Sequence, residues 1–381
     1  MKRLRLEDIA PFRQGCCTDE EDIWLLNLDM VESNTGNIID FQIVSKEEIG
    51  SSTIAFDINN ILYSKLRPYL NKVVLPKRSG YATSEMIPLM PKQNIVTREY
   101  LTYFLRSPRF VEYINSKTAG AKMPRANTRD LKEVLVPCPT IEKQRFIVEQ
   151  IDKIRIIIEL YKQEIEQLDL LMKARFVEMF GVPGTDINGW EVKKLGDCCE
   201  INPKKGKDSR LTPGIEVSFV PMSAVSENGA IDPSDTRMYD DVKTGFTYFA
   251  ENDVLMAKIT PCMENGKGAV AVDLKNGIGF GSTEFHVLRP IRGISNSYWI
   301  YVLTSIKTFR EDAASNMTGS AGQRRVPATF LENFKISIPP IELQNQFADF
   351  VRAVDKSKVE VQKALDKTQM LFDSLMQQYF G

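Results

Sequence analysis

The stretch VPCPTIEKQ (136–144) has a counterpart in SIPPIELQ (337–344), and this pair decides the fold that we predict. Each copy begins as a short β-rich run, is interrupted by proline and continues into a segment that opens with Ile-Glu. Proline ends a strand because it lacks a backbone N–H, and Glu142 and Glu342 favour the positive end of a helix dipole. The two copies therefore predict the same event twice, the end of a strand and the start of a helix.

Other motifs recur in the same order in both halves of the 381-residue chain. The offset between partners drifts from 189 to 200 and then stays at 200 to the end of each copy, at Gly181 and Gly381. Such a unit is much longer than a solenoid repeat, so we predict two copies of one domain-plus-helix module. The paired segments are RLRLEDIA (3–10) with VKKLGDCC (192–199), ILYSKLRP (61–68) with VLMAKITP (254–261), GYATSEMIPLMP (80–91) with GFGSTEFHVLRP (279–290), and YLTYFLRS (100–107) with YWIYVLTS (298–305).

Each globular part is predicted to be mixed α and β, which makes the fold class α+β with two tandem α/β domains. The runs DVLMAKI (253–259) and TEFHVLRP (283–290) are typical of strands, and helices are expected over 98–116 and 296–314. The predicted boundaries are 1–140 for the first domain, 141–181 for its helix, 182–338 for the second domain and 339–381 for its helix.

Both long helices carry an apolar heptad seam, which predicts that they pack on each other as an antiparallel coiled coil. At 1.5 Å per residue each helix would be about 60 Å long, and the two domains would lie at opposite ends of the rod. The last turns of the seam place Arg175 and Met179 in the first helix and Leu375 and Tyr379 in the second. The alternative is that each helix only closes its own domain. The seam residues are Ile147, Ile151, Ile154, Ile158, Ile165 and Leu168, then Val351, Val354, Val361, Leu365 and Phe372.

No catalytic, metal or cofactor motif is found. The single histidine, His286, lies in a strand pattern and has Ile87 as its counterpart, which favours a structural role. Glu85 and Glu284 recur at equivalent positions, and we interpret each as a hydrogen-bond partner for a loop rather than as half of an acid/base pair. The chain has no apolar run long enough to span a membrane and no CxxC pair, so a cytoplasmic, cofactor-free, non-catalytic protein is expected.

The net charge of -1 gives no bulk signature for a polyanion, so any nucleic-acid contact must come from locally concentrated basic residues. Such concentrations occur in loops at matching places of the two halves, where Lys and Arg would neutralise phosphates and amides would contact base edges. Solvated charged loops are the alternative for any one of them. The candidate DNA-binding residues are Lys65, Arg67, Lys122, Arg125, Asn127 and Arg129 in the first half and Lys204, Lys205, Lys207, Lys258, Gln323, Arg324 and Arg325 in the second.

The order of these elements, repeated twice, resembles the DNA specificity subunits of type I restriction-modification systems. The residues that carry the resemblance are Pro137, Pro139, Ile141, Glu142 and Gln144, then Pro339, Pro340, Ile341, Glu342 and Gln344, together with LGDCCEINPKKGK from Leu195 and the SKLRP and AKITP runs. Thr140 departs from the pattern at the position where the second copy has Pro340.

The resemblance implies that each domain is a target recognition domain for one half of a split sequence in double-stranded DNA. It also implies that the helix pair docks two methyltransferase subunits, to which restriction subunits can add. S-adenosylmethionine, ATP and magnesium would then belong to those partners. The other hypotheses are a non-catalytic coiled-coil scaffold with two protein-binding modules, and a fragment of a fused restriction-methylation enzyme.

Overall fold

The structure is a computed structural model that describes residues 2–16, 23–119, 123–185, 189–320 and 322–381. Backbone contacts divide the chain into two compact units. The first unit comprises Met1–Tyr161 and Lys363–Gly381, and the second comprises Lys162–Gln362. Each unit therefore contains one globular module, one half of the first long helix and one half of the second.

The first half of the chain contains short strands and short helices, followed by one long helix. In chain order they are β1 (Arg3–Arg5), α1 (Leu6–Ile9), β2 (Ile23–Leu26), β3 (Gln42–Val44), β4 (Thr53–Phe56), β5 (Ile61–Ser64), β6 (Val73–Val74), β7 (Gly80–Thr83), β8 (Met86–Leu89), α2 (Arg98–Arg106), α3 (Pro108–Ser116), β9 (Thr118–Ala119), β10 (Arg125–Ala126), α4 (Thr128–Lys132), β11 (Leu135–Pro137) and α5 (Ile141–Phe180).

The second half follows the same plan. Its elements are β12 (Val192–Lys194), β13 (Cys199–Ile201), β14 (Glu216–Val220), β15 (Thr236–Met238), α6 (Tyr239–Val242), β16 (Thr247–Ala250), β17 (Val254–Ala257), β18 (Gly268–Val270), β19 (Ile278–Gly281), β20 (Phe285–Pro290), α7 (Ser297–Ser305), α8 (Lys307–Ser315), α9 (Ala328–Asn333), β21 (Lys335–Ser337) and α10 (Ile341–Phe380).

The two modules have the same sheet topology. One sheet has the order β3-β2-β7-β4 in the first module and β15-β14-β19-β16 in the second. Its inner pair, β2 with β7 or β14 with β19, is parallel in both. The other sheet has the order β6-β5-β8 in the first module, and its counterpart β18-β17-β20 gains β13 at one edge. The duplication visible in the sequence is therefore a duplication of fold, and the predicted fold class is confirmed.

The first and last strands of each module pair with each other next to the long helix. β1 pairs antiparallel with β11, and β12 pairs in the same way with β21. The strands β5 and β17 are buried at every position, so both faces of each strand are covered by other parts of the module. This burial explains their continuous apolar sequences, which do not alternate as a half-exposed strand would.

The long helices contribute to the core of each unit. In the second unit, the rings of Phe176 and Phe180 lie 5.5 and 5.4 Å from that of Phe347, and the Lys358 ammonium lies 2.6 Å from the Asp169 carboxylate. Because higher-numbered residues of α5 meet lower-numbered residues of α10, the two segments run antiparallel. In the first unit, Ile147, Ile151, Met376 and Phe380 belong to one buried cluster. Full burial of each such side chain contributes about 1.5–3 kcal/mol.

The seam residues named from the sequence are all buried or half-buried, but the last turns follow a different register. Phe176 and Phe180 are buried where the heptad pattern predicts Arg175 and Met179, and Arg175 is exposed. Met376 and Phe380 are likewise more buried than Leu375 and Tyr379. These last turns pack into a globular core rather than along a supercoiled partner. A straight helix has 3.6 residues per turn, so its buried face shifts away from the 3.5-residue heptad pattern.

The helices predicted over 98–116 and 296–314 are each divided in two. Ser107 is extended between α2 and α3, because Pro108 disfavours a helical conformation in the residue before it. Ile306 is extended in the same way between α7 and α8, although lysine follows it. Both modules therefore have this break, but only the first has a proline at this point in its sequence to explain it. No described helix is both long enough and apolar enough to cross a membrane.

The glutamine of each Pro-Ile-Glu motif attaches a long helix to its module. The Gln144 side chain is fully buried, accepts the Thr97 backbone N–H at 2.8 Å and donates to the Ile95 and Pro139 carbonyls at 2.9 Å. Gln344 makes the same three bonds, with the Asn296 N–H and the Ile294 and Pro339 carbonyls, all at 2.9 Å. Thr97 and Asn296 are the N-caps of α2 and α7, so this single side chain joins three segments.

Candidate nucleic-acid interface

Three chain segments meet at the same place in each module: the end of the β5 or β17 strand, the turn before β8 or β20, and the loop before α4 or α9. In the first module, the Lys65 N–H donates to the Glu85 carbonyl at 3.0 Å, and the Ala126 N–H donates to the Lys65 carbonyl at 2.8 Å. In the second module, Lys258 donates to Glu284 and Val326 donates to Lys258, both at 2.9 Å. The backbone thus fixes the basic loop against the end of the strand, at the lysine that recurs in both halves.

A glutamate and an arginine pair at this junction in both modules. In the first, Arg125 donates from Nε at 3.2 Å and from Nη2 at 3.0 Å to the Glu85 carboxylate, and the Lys65 ammonium lies 4.0 Å away. In the second, Arg325 donates from Nε at 2.9 Å and from Nη2 at 2.8 Å to Glu284. We name these the Glu–Arg pairs, Glu85–Arg125 and Glu284–Arg325.

The Glu–Arg pairs are charged over the ordinary pH range. The hydrogen bonds from Arg125 lower the pKa of Glu85, and those from Arg325 lower the pKa of Glu284, in each case against the opposing effect of burial. The side chains remain partly open to solvent, at 25% for Glu85 and 47% for Arg125, so the pairs stabilise the free protein only modestly. Their main effect is to hold each guanidinium in a fixed orientation.

The pairing leaves one edge of each guanidinium available. Each carboxylate accepts from the N–H of Nε and from one N–H of Nη2, so the second N–H of Nη2 and those of Nη1 are not used by the pair. Arginine recognises guanine through two neighbouring N–H donors of this kind. The Arg125 Nη1 has no hydrogen bond to another described residue. In the second module, the Arg325 Nη1 donates to the Gln323 carbonyl at 3.0 Å, which uses part of the equivalent edge.

The remaining candidates of the first module surround this pair or support it. Arg67 is exposed and left-handed, with φ at 48°, and its N–H donates to the Pro124 carbonyl at 2.8 Å, one residue before Arg125. The Asn127 side chain caps α4 by accepting the Arg129 N–H at 2.9 Å, and Arg129 is exposed. Lys122 lies outside the described residues.

The remaining loop candidates of the second module divide into a structural residue and an exposed one. The Arg324 Nη2 donates to the Ala314 carbonyl at 2.9 Å and lies 3.4 Å from that of Met317, so this guanidinium satisfies the carboxyl end of α8. The side chain of Gln323 is exposed. Lys258 is half-buried beside Glu284, whose pKa its charge helps to lower.

Lys204, Lys205 and Lys207 form a separate basic segment that follows β13. Lys204 is exposed, and the Lys205 ammonium donates to the Lys243 carbonyl. Lys207 ends the 3-10 helix Lys205–Lys207, and its side chain lies outside the described part of the chain. The structure does not join these lysines to the Glu–Arg pair by any hydrogen bond between described residues.

The segment after these lysines is fixed by a carboxylate that sequence patterns did not single out. Arg210 donates to both carboxylate oxygens of Asp208, at 2.9 and 2.7 Å. The Tyr248 hydroxyl donates to the same carboxylate at 2.7 Å. The hydrogen bonds from Arg210 are the main cause of a strongly lowered pKa for Asp208. Asp208 is only four residues after Lys204, and this closeness to a basic run was the one sequence signal that could have identified it.

The single histidine is a structural element of the second module. Its Nε2 lies 2.8 Å from the Val326 carbonyl, which can only accept, so Nε2 carries the proton. Its Nδ1 then accepts from the Asn202 amide at 3.1 Å, while the Asn202 carbonyl accepts the Val287 N–H at 3.0 Å. Burial lowers the pKa of His286. The described residues contain no cluster of three or more metal-ligating side chains.

A family model of the type I restriction modification DNA specificity domain matches residues 1–170 and 187–368, and the chain belongs to this family. Over 196 residues it is 39% identical to the specificity subunit of the type I restriction enzyme EcoAI from Escherichia coli, and the match covers 50% of this chain and 32% of that protein. It is also 39% identical to the EcoEI specificity subunit of Escherichia coli over 197 residues, 49% of this chain and 32% of that one. The chain thus spans about a third of the length of these curated relatives.

Two solved structures share the fold over the whole chain. One is a chain from a study of complex assembly and conformational transition of the type I R-M system, with a TM-score of 0.57 at 18% identity, covering 100% of this chain and 97% of that one. The other is the S subunit of a type I restriction-modification system from M. genitalium, with a TM-score of 0.54 at 12% identity, covering 100% and 96%. At these identities the likeness shows the common fold.

Proposed function

We propose that this chain is the non-catalytic DNA specificity subunit of a type I restriction-modification complex. Each module acts as a target recognition domain and binds one half of a bipartite sequence in double-stranded DNA. The complex acts in the cytoplasm, and S-adenosylmethionine, ATP and magnesium are bound by partner subunits. Family membership and the repeated module support this assignment.

The observation that carries the proposal is the equivalence of the two Glu–Arg pairs. Each guanidinium is held by a carboxylate at the same junction of a duplicated fold, in a loop with other polar side chains. A fixed arginine that keeps a donor edge open suits recognition of a guanine edge, while exposed Arg67, Arg129 and Lys204 suit phosphates. Two such sites in one chain fit a target with two halves.

The long helices carry the surface proposed for methyltransferase subunits. In the first unit, Ile156, Ile157 and Leu160 are 41–57% exposed on α5. In the second unit, Leu170 and Leu171 are 56% and 48% exposed on the same helix. Exposed apolar groups on a helix surface are typical of protein–protein contact sites, and each unit has its own set, which fits two partner copies.

The decisive experiment combines the purified chain with the methyltransferase subunit encoded beside its gene and maps methylated bases on genomic DNA. A bipartite methylated sequence is expected. Arg125→Ala should relax the choice of base in one half of this sequence, and Arg325→Ala in the other half. Arg5→Ala removes an exposed arginine that pairs with Glu133 elsewhere in the first module, and should leave the sequence unchanged. Absence of methylation, or effects of both variants on the same half, would refute the proposal.

A further inference from the structure

The residue two positions before each paired arginine differs between the modules. It is Met123 before Arg125 and Gln323 before Arg325, and the offset that relates the two arginines also relates Met123 to Gln323. The Met123 side chain is 46% exposed, and Gln323 is also exposed. One place in the duplicated site therefore presents a flexible apolar chain in the first module and an amide in the second.

In the second module, Gln323 lies directly against the paired guanidinium. The Arg325 Nη1 donates to the Gln323 carbonyl at 3.0 Å, while its Nε and Nη2 donate to Glu284. The backbone is held on both sides, since the Gln323 N–H donates to the Ser320 carbonyl at 3.0 Å and the Arg325 N–H donates to the Thr318 carbonyl at 2.8 Å. The start of the Gln323 side chain is thus fixed beside Arg325.

The first module follows the same backbone path. In both modules, the carbonyl of the residue before the paired arginine accepts an N–H from the segment that follows β5 or β17. Pro124 accepts from Arg67 at 2.8 Å, and Arg324 accepts from Thr260 at 3.0 Å. Because this bond and the Glu–Arg pair both recur, the residue two positions before the arginine takes the same place in both modules.

The Gln323 amide is available to bind a base edge. It makes no hydrogen bond to another described residue, and it offers an acceptor oxygen and two N–H donors. A glutamine amide binds adenine through N6 and N7 in the major groove. Arg325 has fewer open donors than Arg125, because its Nη1 is bonded to the Gln323 carbonyl. The amide is therefore the more available base-reading group in the second module.

Met123 cannot make such a contact. Its side chain has no N–H or O–H donor, and its sulfur is only a weak acceptor. The apolar feature of a base pair in the major groove is the methyl group of thymine, which side chains recognise by apolar contact. Beside Met123, the Arg125 Nη1 has no hydrogen bond to another described residue, so this guanidinium keeps more donors for a guanine.

We propose that the residue at this place determines which base is read beside the paired arginine. Gln323 selects an adenine in the half of the target that the second module binds. Met123 selects a thymine, through its methyl group, in the half that the first module binds. This inference rests on the proposed function and adds to it the base preference and the residue that sets it.

The length of the chain limits where the selected base lies. Two residues of extended chain span at most about 7 Å, and successive bases of one DNA strand are about 3.4 Å apart. The adenine is therefore expected within about two base pairs of the position that Arg325 contacts. The thymine is expected within the same distance of the position that Arg125 contacts.

The test combines the full-length chain with the methyltransferase subunit encoded beside its gene and maps methylation on a library of random DNA sequences. The frequency of each base among methylated sites measures the preference at each position. The wild type should show the adenine in one half and the thymine in the other. Gln323→Ala should lower the preference for adenine by about tenfold or more, only in the half that Arg325→Ala also relaxes.

Exchanging the two residues tests for a gain that a folding defect cannot produce. Met123→Gln should replace the preference for thymine by one for adenine, and Gln323→Met should do the reverse in the other half. Both side chains are exposed, so neither change disturbs a core. Gln369→Met is the same substitution at an exposed glutamine of α10 and should leave all base frequencies unchanged.

Two results would overturn the inference while leaving the proposed function intact. One is a bipartite methylated sequence with the same base frequencies in the wild type, in Gln323→Ala and in both exchange variants. The other is a change of preference that falls in the half relaxed by the arginine of the other module. A wild-type complex that methylates no bipartite sequence would instead refute the proposed function, and this inference with it.

Discussion

The Gln344 side chain accepts the backbone N–H of Asn296 at 2.9 Å, while Gln144 does the same for Thr97 at 2.8 Å two hundred residues earlier. Each of these glutamines is fully buried and bonds to two further carbonyls. The backbone N–H at the N-cap of α2 or α7 thus donates to a glutamine of α5 or α10. This bond fixes the direction of each long helix relative to its own module.

Replacing Gln344 with alanine should destabilise the second module by about 2–4 kcal/mol, because one backbone N–H and two carbonyls lose their shared partner in a buried place. Hydrogen exchange of the full-length chain should show faster exchange of the Asn296 amide and of α7. Gln144→Ala should do the same for Thr97 and α2. Gln369→Ala removes an exposed glutamine of α10 and should change stability by less than about 0.5 kcal/mol. Equal exchange in the Gln344 variant and the wild type would contradict this role.

Replacing Glu85 with glutamine should make binding to non-specific DNA more dependent on salt. The variant removes the negative charge that neutralises Arg125, and a freed guanidinium contributes about 0.9 to the slope of log K against log salt. Fluorescence anisotropy with a DNA that lacks the target sequence measures this slope. Glu133→Gln, which removes one of the two carboxylates paired with Arg5 away from the loops and leaves Asp8, is the control and should leave the slope nearly unchanged. A slope that is equal in all three proteins would remove Arg125 from the DNA contact surface.

Acidification should destabilise the second module before the first. His286 has a lowered pKa in the folded state, so the unfolded chain takes up a proton more readily, and its contribution to stability is present above about pH 6.5 and lost as the pH falls through the folded pKa. A proton on Nδ1 would face the Asn202 amide, which is already a donor. Burial is the main cause of the lowered pKa, and Lys258 adds to it.

Because the chain contains one histidine, NMR can follow the titration of His286 without overlap from other histidines. The midpoint of the titration of its ring protons is expected below pH 6.5. Hydrogen exchange at pH 5 and pH 7, corrected for intrinsic rates, should show loss of protection around β20 and α9 but not around β8, where Ile87 takes the place of the histidine. A midpoint above 6.5 would show that a charged His286 is accommodated.

Introducing Glu at Ile156 and Leu160 should prevent assembly with a methyltransferase subunit. Both side chains are more than half exposed, so the change costs little stability, but buried carboxylates would be left unpaired at an apolar interface. Size-exclusion chromatography with light scattering measures the stoichiometry of the mixture. Arg155→Glu and Lys162→Glu alter charge on the same helix without removing apolar surface and serve as controls. Normal assembly by the double variant would place the partner elsewhere.

Sequence patterns predicted the long helices well, because proline, glutamate and a sustained apolar repeat are local signals. They did not show that α2 and α3 are separate, although Pro108 was a visible signal, and nothing local marks the equivalent break at Ile306. The last turns of the heptad seam were misplaced by one residue, since Phe176 and Phe380 pack against globular cores that a helix pattern cannot represent.

The candidate site was predictable in part. The repeat aligned Glu85 with Glu284 and placed Arg125 and Arg325 in equivalent loops, but the pairing spans about forty residues and depends on how the loop folds back on the strand. The sequence suggested the same role for Arg324 and Arg325. Their different roles depend on the fold, which directs the Arg324 side chain to the carboxyl end of α8.

The Glu–Arg pairs have a consequence for the time that such a protein needs to find its target among millions of other sites. An arginine already neutralised by its own glutamate gains little from a chance phosphate, so residence at unrelated sequences stays short. Only a base edge that meets the open donors of the guanidinium adds contacts without breaking the existing ones. If Arg125 and Arg325 read bases as proposed, the carboxylates Glu85 and Glu284 would speed the search by limiting how strongly the wrong sequences hold the protein.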